Sequence, residues 1–286
     1  MPELPEVETV VRGLRAVLLG KRIVNVRLGK TDFIDDPAAL ELQLPGSRVS
    51  AVRRHGKFIV VELEAANGRK HESSLLIHLG MTGQIVTCPP EVPVAAHTHV
   101  FLGLDDGREL RYTDIRRFGR MAMLAHTAHE SVLGKLGLDP LEATEKEFSA
   151  MIRARRSHIK ALLLDQSVLR GMGNIYTDES LWRARIHARR LGANLSEDEV
   201  HRLYGVVRRV LNEAIRLGGS SISDYVDAEG QPGTFQIRHR AYGREGKKCS
   251  RCGKKIRRMM VAGRSSYFCP FCQRAPRVVR RKRMAR

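Results

Sequence analysis

The chain opens Met1-Pro2-Glu3-Leu4-Pro5-Glu6, which sets two carboxylates close behind a proline. Proline is small enough for the initiator methionine to be trimmed, and trimming would leave Pro2 as a secondary amine. An α-amino group titrates at about pH 8, so much of it is an uncharged nucleophile near neutrality. Attack on an aldehyde-level carbon would give a cationic iminium, which is a strong electron sink. Glu3 and Glu6 are then candidates for proton transfer or for holding the amine.

A structural explanation of the same residues stays open. Pro5 suits the first turn of a helix, and the Glu6 carboxylate would be favourable beside the positive end of the helix dipole. Apolar residues follow at helical spacing up to a stop at Gly20, namely Val7, Val10, Val11, Leu14 and Leu18. A helix is therefore predicted here, whether or not an amine in front of it is catalytic.

Four of the five cysteines form two Cys-x-x-Cys pairs, Cys249/Cys252 and Cys269/Cys272, separated by sixteen residues. This spacing is typical of a structural zinc site on two opposed knuckles joined by a hairpin. Disulfides are the alternative, but the chain is otherwise poor in cysteine and nothing in it suggests secretion. We predict one structural zinc ion and no organic cofactor. Arg264, beside the glycine at the hairpin tip, should project outward, where its guanidinium could clamp a phosphate.

The charge of the chain is uneven. Its formal net charge is +19, and residues 247–286 hold fifteen Lys or Arg and no acid, which leaves +4 on the rest. A basic module on a nearly neutral body favours a polyanion such as nucleic acid over a membrane, although a solubilising tail is the alternative. No apolar run of membrane-spanning length and no signal-peptide pattern occurs, so we expect a soluble cytoplasmic protein.

The pattern of residues predicts an α+β multidomain fold. Short strands from about residue 21 to 125, with a hairpin at Asp105-Asp106-Gly107, indicate a β-sandwich behind the N-terminal helix. Helices are predicted at 145–156, 158–168, 174–185 and 196–217. Phosphate could bind at the glycine turn before residue 174, where free amides begin a helix. The glycine-rich stretch 218–233 resembles a lid or binding loop.

We divide the chain into an N-terminal domain 1–130, a connector 131–144, a helical domain 145–237 with its loop near 218–236, a zinc finger 238–275 and a disordered basic tail 276–286.

Several motifs in one order resemble the formamidopyrimidine-DNA glycosylase family, which shares its fold with the endonuclease VIII branch. They are PELPEVE at 2–8, Lys57, HLGM at 78–81, YTDIRRFG at 112–119, GMGNIY at 171–176 and the finger ending CPFCQ. The resemblance covers nearly the whole chain and implies a helix–two-turn–helix domain for the helical segment. Its implied substrate is an oxidised purine in duplex DNA, either 8-oxoguanine opposite cytosine or a formamidopyrimidine.

The resemblance also implies roles for particular residues. The Pro2 amine would attack the sugar C1′ of the lesion, and β- and δ-elimination would then cut the strand on both sides. Glu3 would shuttle protons, Glu6 would support the amine, and Lys57 would hold a phosphate and assist the chemistry. Met81, Arg116 and Phe118 would fill the space that the extruded base leaves, although core packing is the alternative for the two apolar ones. The remaining residues expected to contact DNA are His99, Lys160, Asn174 and Arg264.

Two other functions remain as alternatives. Endonuclease VIII-type enzymes act on oxidised pyrimidines and usually begin PEGPE, whereas this chain has Leu4 at that position. A zinc-ribbon DNA-binding protein without catalysis would have lost Pro2, Glu3 or Lys57, and all three are present. We therefore expect a bacterial, nucleoid-associated monomer that acts on damaged double-stranded DNA and does not bind membranes.

Overall fold

The computed structural model describes residues 1–64, 73–125, 131–222 and 224–276. Helix α1 (Leu4–Leu18) forms where the apolar spacing predicts it, and it begins with a capping box in which Glu3 and Glu6 cap each other's backbone. Its buried face joins two cores, because Leu4 packs into the helical domain whereas Val7, Val10 and Leu14 pack into the β-domain. The N-terminus of α1 therefore lies at the junction between the two domains.

Two four-stranded antiparallel sheets form the predicted sandwich. The eight strands are β1 (Ile23–Leu28), β2 (Arg48–His55), β3 (Phe58–Glu64), β4 (Ser73–His78), β5 (Gln84–Cys88), β6 (Thr98–Leu104), β7 (Glu109–Thr113) and β8 (Arg120–Ala125), and helix α2 (Pro37–Gln43) follows β1. One sheet has the order β1-β6-β7-β5 and the other the order β2-β3-β4-β8. The alternation of side chains along these strands buries one face of each sheet in a common core.

In the part of the chain that the structure describes, the second domain contains the helices α3 (Glu145–Arg153), α4 (Ile159–Leu164), α5 (Asn174–Ala184) and α6 (Glu197–Arg216). Helix α4 is shorter than the predicted 158–168, because Asp165 leaves the helical conformation and its side chain accepts hydrogen bonds from the amide and hydroxyl of Ser167. Short 3-10 turns lie at Gly192–Asn194 and Phe235–Arg238. Helix α5 is buried along nearly its whole length, including the polar run from Thr177 to Ser180. It is the central element of this domain.

The finger is a two-stranded hairpin, β9 (Arg257–Val261) and β10 (Arg264–Phe268), with one cysteine pair before it and one after it. Buried side chains attach it to the helical domain, among them Glu179 and Gln273. The Glu179 carboxylate accepts the amides of residues 240–242, and Gln273 bonds both Cys269 N and the carbonyl of Ile186. No helix among the described residues is long and apolar enough to cross a bilayer. The predicted disordered tail lies, from residue 277 on, outside the described residues.

Candidate active site

Glu3 is buried against the start of helix α5. Its carboxylate accepts the amide of Ile175 at 3.0 Å and that of Tyr176 at 3.3 Å. An anion of the chain itself therefore takes two of the amides at the helix N-terminus for which a phosphate site was predicted. Burial raises the pKa of Glu3, while the charge of Lys57 and the two amides act in the opposite direction. Pro2, immediately before it, is buried behind an exposed Met1.

The GMGN turn is shaped to receive Glu3 and Leu4. The amide of Leu4 donates to the carbonyl of Gly171 at 2.9 Å. A Cβ on Gly173 would lie 2.2 Å from Glu3 Cδ, and one on Gly171 would lie 2.9 Å from Leu4 Cβ. Gly171 also has a φ of +89°, which side-chain-bearing residues rarely adopt. These glycines permit close approach of the two domains.

Glu6 is held by three segments of the chain. Its Oε2 accepts the amide of Glu3 at 2.8 Å, and its Oε1 accepts the amide of Ser220 at 2.7 Å and the hydroxyl of Tyr176. Burial, followed by the neighbouring charge of Glu3, raises the pKa of Glu6 to about 7. The predicted binding loop therefore reaches the N-terminal carboxylates through Ser220. Tyr225 of the same loop donates to the carbonyl of Glu6.

Lys57 lies in the tight turn between β2 and β3 and is almost fully buried. Burial lowers the pKa of Lys57, whereas Glu3 and Glu6 oppose that shift and Arg264 adds to it. Its burial shows that Lys57 is not a solvated lysine at the edge of a strand.

Met81, Arg116 and Phe118 form one surface cluster. The side chains of Met81 and Phe118 are 39% and 56% exposed, which rules out core packing for both. The Arg116 guanidinium lies 4.4 Å from the Phe118 ring centroid and donates to Met81 Sδ at 3.2 Å. Buried Asp114 fixes this turn by accepting the amides of Arg116 and Gly119.

Lys160 differs from the expected phosphate-contacting residue. Its side chain is fully buried, and its Nζ donates to Asp178 Oδ1 and to the carbonyl of Ser265, both at 2.7 Å. In this structure it supports the strand that begins at Arg264, which is itself exposed as predicted. Asn174 is half-buried at the first position of α5, next to the amides that Glu3 occupies.

His99 was expected to contact DNA, but only 6% of it is exposed and its ring packs 5.9 Å from that of Phe33. The histidine beside the site is instead His78, whose Nδ1 accepts the amide of Gly80 at 3.1 Å. Burial, and then the charge of Lys57, lowers the pKa of His78 to about 4. The signal for it was the HLGM motif, which begins with this residue.

Cys249, Cys252, Cys269 and Cys272 fit a tetrahedral zinc ion. Their four Sγ atoms lie within 4.8 Å of one another, and the sulfurs of Cys252 and Cys269 are 3.4 Å apart. Zinc–sulfur bonds of about 2.3 Å require sulfur separations of about 3.8 Å, which the cluster can meet with small shifts. Four thiolates leave no open coordination position, so the ion is structural.

Comparison with known proteins agrees with this organisation. Three family models match: the formamidopyrimidine-DNA glycosylase N-terminal domain over residues 1–121, the H2TH domain of the same enzyme over 136–226, and a zinc finger found in FPG and IleRS over 246–275. The formamidopyrimidine-DNA glycosylase of Solibacter usitatus is 44% identical over 96% of this chain and 100% of its own length. That of Nocardioides sp. is 43% identical over 97% of this chain and 96% of its own length.

Solved structures agree as well. Lactococcus lactis Fpg (MutM) bound to DNA containing N7-benzyl-Fapy-dG is 34% identical, with a TM-score of 0.86 over 96% of this chain and 100% of that one. The same protein in complex with an abasic site containing DNA is 33% identical, with a TM-score of 0.87 over 96% of this chain and 100% of that one. The fold thus places the chain among zinc-finger proteins that join a β-sandwich to a helix–two-turn–helix domain. The matched models and relatives show that it belongs to the formamidopyrimidine-DNA glycosylase family.

Proposed function

We propose that this chain is a DNA glycosylase that removes oxidised purines from duplex DNA and then cleaves the strand at the abasic site. Family membership and relatives named as formamidopyrimidine-DNA glycosylases support this activity. Within the chain, the observation that carries it is the burial of Glu3 and Glu6 directly behind Pro2. Two carboxylates with raised pKa values beside a potential amine suit proton transfer near neutral pH.

In the proposed reaction the trimmed Pro2 amine attacks C1′ of the damaged nucleotide, and the base leaves with the electrons of the glycosidic bond. Proton donation from Glu3 to the sugar ring oxygen opens the ring and gives the iminium. This cation acidifies C2′, so loss of a proton there expels the 3′ phosphate, and a second elimination expels the 5′ phosphate. Glu6 keeps Glu3 in place through its backbone amide.

Cationic side chains around this centre would hold the DNA backbone. The charge of Arg264 lowers the pKa of Lys57, so a phosphate bound between these two cations would relieve their repulsion. The exposed cluster of Met81, Arg116 and Phe118 would enter the duplex, with the two apolar groups unstacking the bases and Arg116 facing the unpaired cytosine. Lys160 and Asn174 would then help to position the residues that contact DNA. We propose no direct DNA contact for buried His99.

Oxidised pyrimidines are a second candidate substrate. One solved structure of Lactococcus lactis Fpg, 33% identical with a TM-score of 0.85, is a complex with an oxidized pyrimidine containing DNA. We retain oxidised purines as the main substrate because Leu4 and the Arg116-Arg117-Phe118 sequence both favour that branch. We also infer a cytoplasmic, nucleoid-associated monomer, and we keep the division of the chain at residues 130, 144, 237 and 275.

Borohydride trapping tests the proposal. The protein, purified with a free N-terminal proline, is incubated with one duplex containing 8-oxoguanine opposite cytosine and one containing an oxidised pyrimidine. We expect a covalent adduct on the purine duplex that disappears in Pro2→Gly and when Met1 is retained. Trapping on the pyrimidine duplex alone would reassign the lesion class. Binding without trapping on either duplex would refute the catalytic proposal.

A further inference from the structure

A chain of hydrogen bonds leads away from Glu6 to a buried histidine. The Tyr176 hydroxyl contacts Glu6 Oε1 and also lies 3.3 Å from Ser220 Oγ, which in turn is 3.1 Å from His239 Nε2. All four side chains are buried. They come from α1, α5, the 218–233 loop and the segment that leads into the finger. The chain therefore connects the N-terminal carboxylates with three distant parts of the sequence.

Each hydroxyl in this chain has a single hydrogen, so the bonds must run in one direction at a time. When Glu6 is ionised, Tyr176 donates to it, Ser220 donates to Tyr176, and the last bond needs a proton on His239 Nε2. When Glu6 carries a proton on Oε1, every bond reverses and His239 Nε2 must accept. An imidazole can do either, because its neutral ring carries its proton on one nitrogen or the other.

We propose that His239 is a positioning residue of the active site, whose change of tautomer lets the Glu6–Tyr176–Ser220 chain reverse and so lets Glu6 hold or release a proton next to Pro2. The proposal rests on the proposed function, since it concerns the same amine. It extends that function by naming a buried residue that is linked to Glu6 through Ser220 and Tyr176.

The protonation states required by this switch agree with the surroundings. Burial lowers the pKa of His239 to about 4, and Arg183 and Arg244 act in the same direction, so the ring stays neutral while it changes tautomer. Glu6, with a pKa raised to about 7 mainly by burial, titrates in the range where the enzyme would work. The ionisable groups that face Glu6 are Glu3, Tyr176 and Tyr225, together with Lys57, whose pKa Glu6 influences.

The state of Glu6 affects the amine through its charge. An ionised Glu6 favours the ammonium form of Pro2, whereas a protonated Glu6 leaves more of the free amine that attacks C1′. Loss of the His239 ring would leave the Ser220 hydrogen without an acceptor when Glu6 is protonated. A buried hydroxyl donor without an acceptor costs free energy, so the protonated state of Glu6 becomes less favourable. Glu6 would then ionise at lower pH, and the amine would lose its proton at higher pH.

Nitrogen-15 NMR of the imidazole rings in the wild-type protein tests the switch without any substitution. We expect the signals of His239 to pass from one neutral tautomer to the other between pH 5.5 and 8.5, with a midpoint of about 7. His187 is an internal control: burial likewise lowers its pKa to about 4, and its Nδ1 accepts the amide of Arg189. Its tautomer should stay constant. A constant His239 tautomer, or its conversion to imidazolium in this range, would overturn the proposal.

Variants then connect the switch to the chemistry. Tyr176→Phe interrupts the chain and should make the His239 tautomer independent of pH. In His239→Leu, the rising limb of borohydride trapping on an abasic-site duplex should move upward by about one pH unit. His239→Gln, whose amide can donate or accept, should restore most of the wild-type profile. An unchanged profile in His239→Leu refutes the inference while wild-type trapping stands, whereas absence of trapping in the wild type at every pH refutes the proposed function instead.

Discussion

Lys160 and Asp178 form a buried ion pair, in which Lys160 Nζ lies 2.7 Å from Asp178 Oδ1 and the two side chains are 0% and 1% exposed. Lys160 also donates to the carbonyl of Ser265, and Asp178 accepts the amide of Tyr267 at 2.8 Å. One pair thus ties α4 and α5 to strand β10 of the finger. The position of Arg264, at the start of that strand, depends on it.

We expect Lys160→Met to lower the free energy of unfolding by about 3–5 kcal/mol, because it leaves the Asp178 carboxylate buried without its counter-charge. Urea unfolding measures the loss. Arg53→Met is the matched control, since the exposed pair that Arg53 forms with Glu62 is worth less than about 1 kcal/mol. Equal losses in the two variants would contradict a special role for the buried pair.

Gly173→Ala should displace the Glu3 carboxylate, because the added Cβ would lie 2.2 Å from its Cδ. A shift of about 1 Å in a catalytic group can cost about 100-fold in rate, so single-turnover excision should fall by at least that factor. Gly205→Ala is the control. Its Cβ would meet just one atom within 4 Å, and it should stabilise α6 by about 0.5–1 kcal/mol with no loss of rate. A fully active Gly173→Ala would remove Glu3 from the mechanism.

Glu6→Gln should change how stability depends on pH. The folded-state pKa of Glu6 is about 7, above its ordinary value of 4.5, so the folded protein binds the extra proton. The stability that this proton gives is present below about pH 4.5 and is lost as pH rises through 7. Relative to Glu6→Gln, the wild type should therefore lose about 3 kcal/mol between pH 4.5 and 7.5. Urea titrations at several pH values measure this difference. Glu41→Gln, at an exposed site on α2, should show no such difference.

Met81→Ala and Phe118→Ala should slow excision from duplex DNA by about tenfold each, since each removes a group that would stabilise an opened base step. Both side chains are exposed, so the melting temperature should hardly change. A fluorescent base beside the lesion would report the slower extrusion. Leu42→Ala, at a residue that is 82% exposed on α2, should affect neither quantity. Unchanged excision in both wedge variants would argue against insertion of these side chains.

Cys269→Ser should abolish zinc binding, because the thiolate is one of four ligands and its sulfur is fully enclosed. DNA binding should weaken with it, since the hairpin would no longer present Arg264. Metal analysis and a binding titration measure the two effects. Cys88→Ser removes a thiol outside the cluster and should retain one zinc per chain. Full DNA affinity in metal-free Cys269→Ser would mean that the finger takes no part in binding.

Local patterns were sufficient for much of the fold. The helical spacing of apolar residues in α1, the alternation along the strands and the spacing of the cysteines all depend on neighbouring residues, so the helix, the sandwich and the finger could be predicted. Helix α5 is different, because its polar residues Thr177 to Ser180 are typical of a solvated surface. They are buried because their partners lie in the distant finger, as with Glu179 and the amides of residues 240–242.

The candidate site was predictable in its residue types but not in its contacts. Glu3 was identified because it follows Pro2 directly in the sequence. The amides that hold its carboxylate, however, are 172 and 173 positions away along the chain. No periodicity links such residues. His99 and His78 show the same limit, since both occupy strand-like segments and tertiary packing alone determines which of them faces Lys57.

The dependence of Glu3 and Glu6 on α5 and on Ser220 has a consequence for synthesis of the protein. The ribosome makes Pro2, Glu3 and Glu6 early, but the amides that hold Glu3 follow 172 and 173 positions later, and the Ser220 amide that holds Glu6 follows 214 positions after it. A chain that is released early, or cut by a protease before Tyr176, carries the Pro2 amine without the backbone amides that hold Glu3 and Glu6. The arrangement of the two carboxylates behind Pro2 is therefore complete only after the chain has been made through Ser220.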